Sequence, residues 1–279
     1  MNTLLDPIAV LPALVTAAYE AASEVMAVYR TDHGTQQKTD GSPVTQADLR
    51  ADRVIRTALN CQFPGVPVWS EESGRENRVD SVDQFFLVDP LDGTKEFIAR
   101  NGEFTVNIAL IRQGIAVAGV VHAPAIGQVF CAATGYGAWT WNVDVEPNPR
   151  QSNEFPPLNA RALRVRSDSA DGTLRVLSSR SHRNDAGPLE SWLATQRTKG
   201  RNCVLVPCGS SLKFCRIAQG QADAYPRFGP TSQWDTAAGQ CVLEAAGGFV
   251  LDMQGNSLQY GMHLNVINPD FVASGLADL

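Results

Sequence analysis

The chain has 279 residues, 44% of them apolar and 19% charged, with a formal net charge of −6. That balance excludes a disordered chain and leaves room for one large domain or two closely packed ones. A net negative chain lacks the basic face that coats a nucleic-acid polymer, while a small anionic substrate stays compatible because a bound cation reverses the local field.

The cysteines, Cys61, Cys131, Cys203, Cys208, Cys215 and Cys241, form no C-x-x-C pair. They read as buried free thiols of a reducing compartment, not as a zinc site or redox dithiol. Asp6 and Pro7 interrupt the N-terminus without a basic segment ahead of an apolar core, so no signal peptide is expected. No uncharged apolar run approaches the ~18 residues of a membrane span. The expectation is a soluble cytoplasmic protein.

Residues 8–29 place apolar side chains at Leu11, Leu14, Val15, Ala18, Ala22, Val25, Met26 and Tyr29, a helical stripe that Gly34 would stop. Lys38–Pro43 is turn-rich and fits the closure of a hairpin. Thr45-Gln46-Ala47-Asp48 opens a second helix with its stripe at Ala51, Val54, Ile55, Ala58 and Leu59. Thr45 with Asp48 has the form of a capping box, and a carboxylate at a helix start can also face a site. Val66–Ser70 reads as a short strand delivering Glu71 and Glu72, which strand alternation sends to opposite faces. A solvated acidic loop is the plain alternative there.

Phe85-Phe86-Leu87-Val88 reads as a short buried strand ended by the turn Asp89-Pro90-Leu91-Asp92-Gly93-Thr94. Asp89 and Asp92 thus sit where a strand breaks, a common place for catalytic groups. A helix cap at Asp92 or Thr94 would explain the same residues without chemistry. Phe104–Arg112 and Ile115–Ala123 form a predicted hairpin across Gln113-Gly114, and Gln128–Ala133 and Gly137–Trp141 continue it as a meander. The first half is therefore α+β, two helices and then an antiparallel sheet. Residues 142–160, with Pro147, Pro149, Pro156 and Pro157, read as an exposed connection between 1–141 and 161–279.

Beyond it, Leu174–Ser178, Cys203–Pro207, Ala222–Tyr225 and Gly248–Leu251 read as strands. Residues 186–196 read as a helix, Gly209–Phe214 and Trp234–Gly239 open two more, and Pro226–Pro230 reads as a turn. This is a smaller α/β unit. Asp235, early in the last helix, would on a bland reading be only its N-cap.

Glu71 and Glu72, Asp89 with Asp92, and Asp235 are carboxylates with no histidine close in sequence, a donor set for Mg²⁺ more than for zinc. Distributed carboxylates that hold two or more Mg²⁺ ions suit in-line displacement at phosphorus. The ordered motifs Trp69-Ser70-Glu71-Glu72, Asp89-Pro90-Leu91-Asp92-Gly93-Thr94 and Trp234-Asp235-Thr236-Ala237-Ala238-Gly239 resemble the inositol monophosphatase superfamily. Lys38…Ser42-Pro43-Val44-Thr45-Gln46-Ala47-Asp48 precedes them in the same order, and the likeness covers about residues 8–270. Asp92–Phe97 through Arg100–Ile108, Gly209–Cys215 and Tyr225–Thr231 look like its bacterial 3′(2′),5′-bisphosphate nucleotidases. Inositol phosphatases usually read Thr-Thr-Asn after the glycine, where this chain reads Thr94-Lys95-Glu96.

The resemblance implies one integrated domain, a layered αβαβα sandwich of the inositol monophosphatase and fructose-1,6-bisphosphatase type. It implies two or three Mg²⁺ ions held by Glu71, Asp89, the Leu91 carbonyl, Asp92 and Asp235. Asp48 and Thr94 would orient the attacking water with Glu72 in support, and the Gly93 and Thr94 N–H groups would cradle the scissile phosphate. Ser210, Lys213, Arg227 and His182 would bind the nucleotide end. The implied reaction is lithium-sensitive removal of the 3′-phosphate of adenosine 3′,5′-bisphosphate, a by-product of sulfur assimilation, or of adenylyl-sulfate 3′-phosphate. It would proceed in a cytoplasmic monomer or homodimer, with peripheral attachment to the inner membrane also compatible. The alternatives are an inositol or sugar phosphate monoesterase of the same fold and an inactive nucleotide-binding sensor. Against the latter, every carboxylate the chemistry needs is present. The stretch 142–171 is longer than a compact member is expected to carry.

Overall fold

The computed structural model describes residues 4–31, 36–37, 43–75, 82–143, 155–166, 168, 172–180, 186–261, 265–277 and 279. Helix α1 (Pro7–Tyr29) starts at Asp6, whose side chain accepts the Ile8 N–H, with Pro7 in the first turn where its missing N–H is tolerated. Its length and apolar composition would by themselves suit a membrane span. Here the stripe Leu11, Leu14, Ala18, Ala22 and Val25 is buried in the protein core. The helix ends at Arg30; Gly34, its expected stop, lies outside the described residues. Strands β1 (Gln36–Gln37) and β2 (Pro43–Val44) pair antiparallel as the expected hairpin, with Lys38–Ser42 outside the described residues. Helix α2 (Gln46–Gln62) follows, opened by the Thr45–Asp48 capping box.

The larger sheet comprises β3 (Val68–Ser70), β4 (Gly74–Arg75), β5 (Gln84–Asp92), β6 (Thr105–Arg112), β7 (Ile115–Ala123), β8 (Gln128–Ala133), β9 (Gly137–Asn142) and β10 (Arg161–Ala162). Their order is β10-β9-β8-β7-β6-β5-β3-β4. Neighbours run antiparallel except β3 and β5, which are parallel. The short helix α3 (Thr94–Ile98) joins β5 to β6. The smaller sheet orders β12 (Asn202–Cys208), β11 (Thr173–Ser179), β13 (Ala224–Arg227), β15 (Phe271–Ser274) and β14 (Phe249–Asp252). Helices α4 (Ala186–Thr198), α5 (Leu212–Ala218) and α6 (Gln233–Ala245) connect its strands.

Alternation along the strands builds the layers. Phe86, Val88, Val106, Ile108 and Val120 pack with Leu11, Leu14, Ala51 and Ile55 of α1 and α2. Phe85, Leu87, Ala109, Ile111 and Val121 point the other way, onto Phe214, Ala238 and Val242 of α5 and α6, which in turn meet Tyr225 and Phe271 of the smaller sheet. That sheet sends Leu174 and Val176 to Leu193 of α4. The result is the expected αβαβα sandwich. Burial on both faces explains why Phe85–Val88 is a continuous apolar run.

Three sequence expectations change. β5 does not stop at Val88 and runs on to Asp92. Pro226 and Arg227 belong to β13, where they pair with Val272 and Phe271, and are not part of a turn. Glu71 and Glu72 lie on a turn beyond β3, so strand alternation does not separate them.

Candidate carboxylate-rich active site

The site is built on an irregularity in β5. Asp89 pairs with Asn107 and Asp92 with Thr105, so Pro90 and Leu91 of β5 together face the single residue Val106 of β6. In a regular strand, positions three apart face opposite ways. The extra residue at Pro90-Leu91 resets the pleat, and a proline without an N–H is tolerated at such a bulge. Both carboxylates therefore face the α5/α6 side, the side taken by Phe85 and Leu87. Asp89 Oδ1 accepts the Leu91 N–H at 3.0 Å. Asp92 Oδ2 accepts the Ser211 N–H at 2.6 Å and Asn107 Nδ2 at 3.2 Å, and lies 2.6 Å from Ser211 Oγ.

Two further carboxylates come from distant segments. The parallel pairing of β3 with β5 brings Glu71 beside the bulge, and its N–H bonds the Val88 carbonyl at 3.1 Å. Trp69 and Trp234 meet edge to face at 5.8 Å, which ties the Glu71 segment to the start of α6. Asp235 is not the N-cap of α6. Ser232 holds that position, and Asp235, three residues on, accepts the Ser232 N–H at 2.8 Å.

Burial, followed by the negative charges of Glu71, Asp92 and Asp235, holds Asp89 well above the usual carboxylate range. Burial, then Asp92 and Glu71, does the same for Asp235. Among the described residues no Lys or Arg forms an ion pair with Asp89, Asp92 or Asp235. Thr105 Oγ1 and Asn107 Oδ1, on the facing strand, are buried without a hydrogen-bond partner. Among the described residues no three His, Cys, Asp or Glu side chains close into a ready-made metal cage. The donor set nonetheless fits a hard cation: it is all oxygen, it is mutually repelling, and the hydrogen bonds to Asp89, Asp92 and Asp235 each use a single carboxylate oxygen.

Asp48 reaches the same region from the start of α2. Its Oδ2 accepts the Thr45 N–H at 2.8 Å and the Thr45 hydroxyl at 2.7 Å, and its Oδ1 accepts the Thr94 hydroxyl at 3.3 Å. Capping and contact with the β5–α3 corner are thus properties of one side chain. At that corner neither Asp92 nor Thr94 is the cap of α3. Gly93 is, at φ +89°, a conformation that favours glycine. Glu72 is half-buried next to Glu71.

The residues expected to hold the nucleotide are less uniform. Ser210, at φ +45°, lies against Gly93, where an added Cβ would be 3.3 Å from the Ser210 Cβ. Lys213 is buried, donates to the Ser210 and Cys208 carbonyls at 2.7 and 3.3 Å, and sits 5.0 Å from the Tyr225 ring centroid. Arg227 is buried on β13 and donates to the Pro230 carbonyl at 2.8 Å. His182 lies outside the described residues. Two site residues escaped the sequence reading. Ser211 Oγ lies 2.6 Å from the Asp235 carbonyl as well as from Asp92, and accepts Asn107 Nδ2 at 2.9 Å. A lone asparagine in the buried strand Thr105–Ile111 was a usable signal for Asn107. Nothing local separates Ser211 from Ser210.

The inositol monophosphatase family model matches residues 6–277, and the chain belongs to that family. The 3′(2′),5′-bisphosphate nucleotidase CysQ of Salmonella typhimurium is 43% identical over 257 residues, 91% of this chain and 95% of the relative. The CysQ nucleotidase of Escherichia coli K12 is 43% identical over 264 residues, 92% and 96% of the two chains. Among solved structures, CysQ from Bacteroides thetaiotaomicron superimposes with a TM-score of 0.79 at 33% identity, covering 96% of this chain and 97% of that one.

Proposed function

We propose that the chain is a cation-dependent 3′(2′),5′-bisphosphate nucleotidase that cleaves adenosine 3′,5′-bisphosphate to AMP and phosphate, working in the cytoplasm in sulfur metabolism. One observation carries the reading. Mutually repelling, largely buried carboxylates converge in a chain that matches named nucleotidases over nine-tenths of its length.

Glu71, Asp89, the Leu91 carbonyl, Asp92 and Asp235 would hold Mg²⁺, which when bound neutralises phosphoryl charge and acidifies the attacking water. The chain's own groups do the rest. Asp48, fixed by Thr45, accepts the proton of the attacking water, and the Thr94 hydroxyl orients both, with Glu72 in support. The Gly93 and Thr94 N–H groups face the transferred phosphoryl. Ser210 contacts the nucleotide, while Lys213 and Arg227 supply buried positive charge behind it. Phosphoryl transfer needs mainly positioning and charge neutralisation, which these fixed contacts and carboxylates would supply.

The test is phosphate release from adenosine 3′,5′-bisphosphate and from inositol 1-phosphate, each with Mg²⁺, with EDTA and with added Li⁺. The reading expects Mg²⁺-dependent, Li⁺-inhibited release with the nucleotide strongly preferred. A preference for the inositol ester overturns it.

A further inference from the structure

We propose that Glu103 and Arg180 form a positioning pair, anchoring the Gly209–Ser211 loop so that Ser211 holds Asp92 in its working orientation. The inference rests on the nucleotidase reading and goes beyond it, to residues that touch neither the ester nor the carboxylate cluster.

Glu103 lies between α3 and β6. Arg180 follows β11, and Gly209 follows the adjacent parallel strand β12. Arg180 grips Glu103 as a fork, Nε to Oε2 at 2.6 Å and Nη2 to Oε1 at 2.9 Å, and its Nη2 also donates to the Pro207 carbonyl at 3.2 Å. Glu103 Oε2 in turn accepts the Gly209 N–H at 2.7 Å. The Glu103 carboxylate therefore joins the larger sheet's loop to two strand ends of the smaller sheet.

The connection continues residue by residue to the site. Every residue from Pro207 to Ser211 has a main-chain group bonded by a side chain. Arg180 takes the Pro207 carbonyl, Lys213 the Cys208 and Ser210 carbonyls, Glu103 the Gly209 N–H, and Asp92 the Ser211 N–H. Ser210, between the two anchors, is held at φ +45°, a conformation uncommon for a residue with a side chain. Backbone approach is also close, since a Cβ on Gly209 would lie 2.6 Å from the Glu103 carbonyl oxygen.

Arg180 and Glu103 are 41% and 23% exposed. An exposed pair of this kind contributes little to stability, about 1 kcal/mol or less. Displacement of a reacting constellation by about 1 Å can cost about 100-fold in rate. The pair's effect should therefore appear in turnover and in Mg²⁺ response far more than in melting. The Arg180 fork also holds the Glu103 carboxyl below the usual range, so the anchor stays ionised near neutral pH.

The test compares wild type, E103Q, R180K and the exchanged double variant E103R/R180E. For each, the melting temperature without Mg²⁺, the Mg²⁺ concentration giving half the thermal shift, and kcat and KM for adenosine 3′,5′-bisphosphate are measured. E103Q and R180K should melt within about 3 °C of wild type, since both side chains of the pair are partly exposed. Their kcat should fall about 10- to 100-fold, more than KM changes, and half-saturation by Mg²⁺ should rise. The exchanged variant restores an ion pair but leaves the Gly209 N–H without any acceptor at position 103, so it should be at least as impaired as E103Q, whose amide oxygen can still accept that N–H. Wild-type kcat and Mg²⁺ response in E103Q, or recovery in the exchanged variant, overturns the proposal. Failure of wild type to hydrolyse the nucleotide would count against the nucleotidase reading instead, and the Mg²⁺ shift would still report on the anchor.

Discussion

Gly209→Ala puts one methyl group where the loop before α5 packs closely against Glu96 and Glu103. The added Cβ would lie 2.6 Å from the Glu103 carbonyl oxygen, 2.7 Å from Glu96 Cγ and 2.9 Å from Glu103 Cβ. Two of these neighbours are backbone or next to it, so they cannot swing aside as a side-chain tip would. Overpacking of this kind costs about 1–3 kcal/mol. At about 2–4 °C per kcal/mol for a chain of this size class, the melting temperature should fall by roughly 2–12 °C. Gly187→Ala is the matched control, because its Cβ would meet nothing within 4 Å and the residue lies in α4. There alanine should be neutral or stabilising by up to about 1 kcal/mol, from helix propensity and reduced unfolded-state freedom. Thermal melts of both variants in one buffer decide the matter. If Gly209→Ala melts with wild type, the close approach of this loop to Glu103 is not as described.

His122 gives a pH prediction. It is buried on β7 against the Tyr19 ring with Nδ1 3.3 Å from the Ala18 carbonyl, and burial pushes its pKa down to about 4 from 6.5. The unfolded chain protonates it first, so stability is complete above pH 6.5 and declines as pH falls towards 4, by about 3 kcal/mol for this group. Urea midpoints at pH 7, 5.5 and 4 should fall more steeply for wild type than for His122→Leu; parallel curves would remove His122 as the cause. Thr94→Val should lower kcat about 100-fold by removing the hydroxyl that touches Asp48, with melting little changed. Wild-type turnover in that variant would remove Thr94 from water positioning.

Helices were legible because their stripes have a clear period. α1 and α2 appear within a few residues of the positions their apolar stripes imply, and α4 covers the expected 186–196. The β6–β9 meander was legible from runs rich in Val, Ile and Ala set off by turn residues, with Gln113-Gly114 marking its first turn. The bulge in β5 was not. Asp89-Pro90 reads locally as a strand stop, and only pairing with β6 carries the strand through to Asp92. Pro226 in β13 misleads in the same way. β10 and β15, two and four residues long, depend on partners far away in the chain and carry no periodic signal of their own.

The site shows the same division. Its acidic residues were visible as types and in order, but their common face depends on the two-for-one pairing of β5 with β6. Ser211, Asn107, Glu103 and Arg180 act through contacts 15 to 119 residues apart, which no local pattern reports. Lys213 and Arg227 were legible as positive charge, but not as buried groups that hold the loop and strand behind the site.

Whether the buried carboxylates are the reaction centre is decided by phosphate release from adenosine 3′,5′-bisphosphate by wild type and Asp92→Asn, across a Mg²⁺ titration, with melting curves alongside. The carboxylate site predicts Mg²⁺-dependent turnover in wild type and a loss of more than about 100-fold in Asp92→Asn, with the variant still folded. Asp92→Asn that keeps wild-type turnover and Mg²⁺ dependence would contradict it.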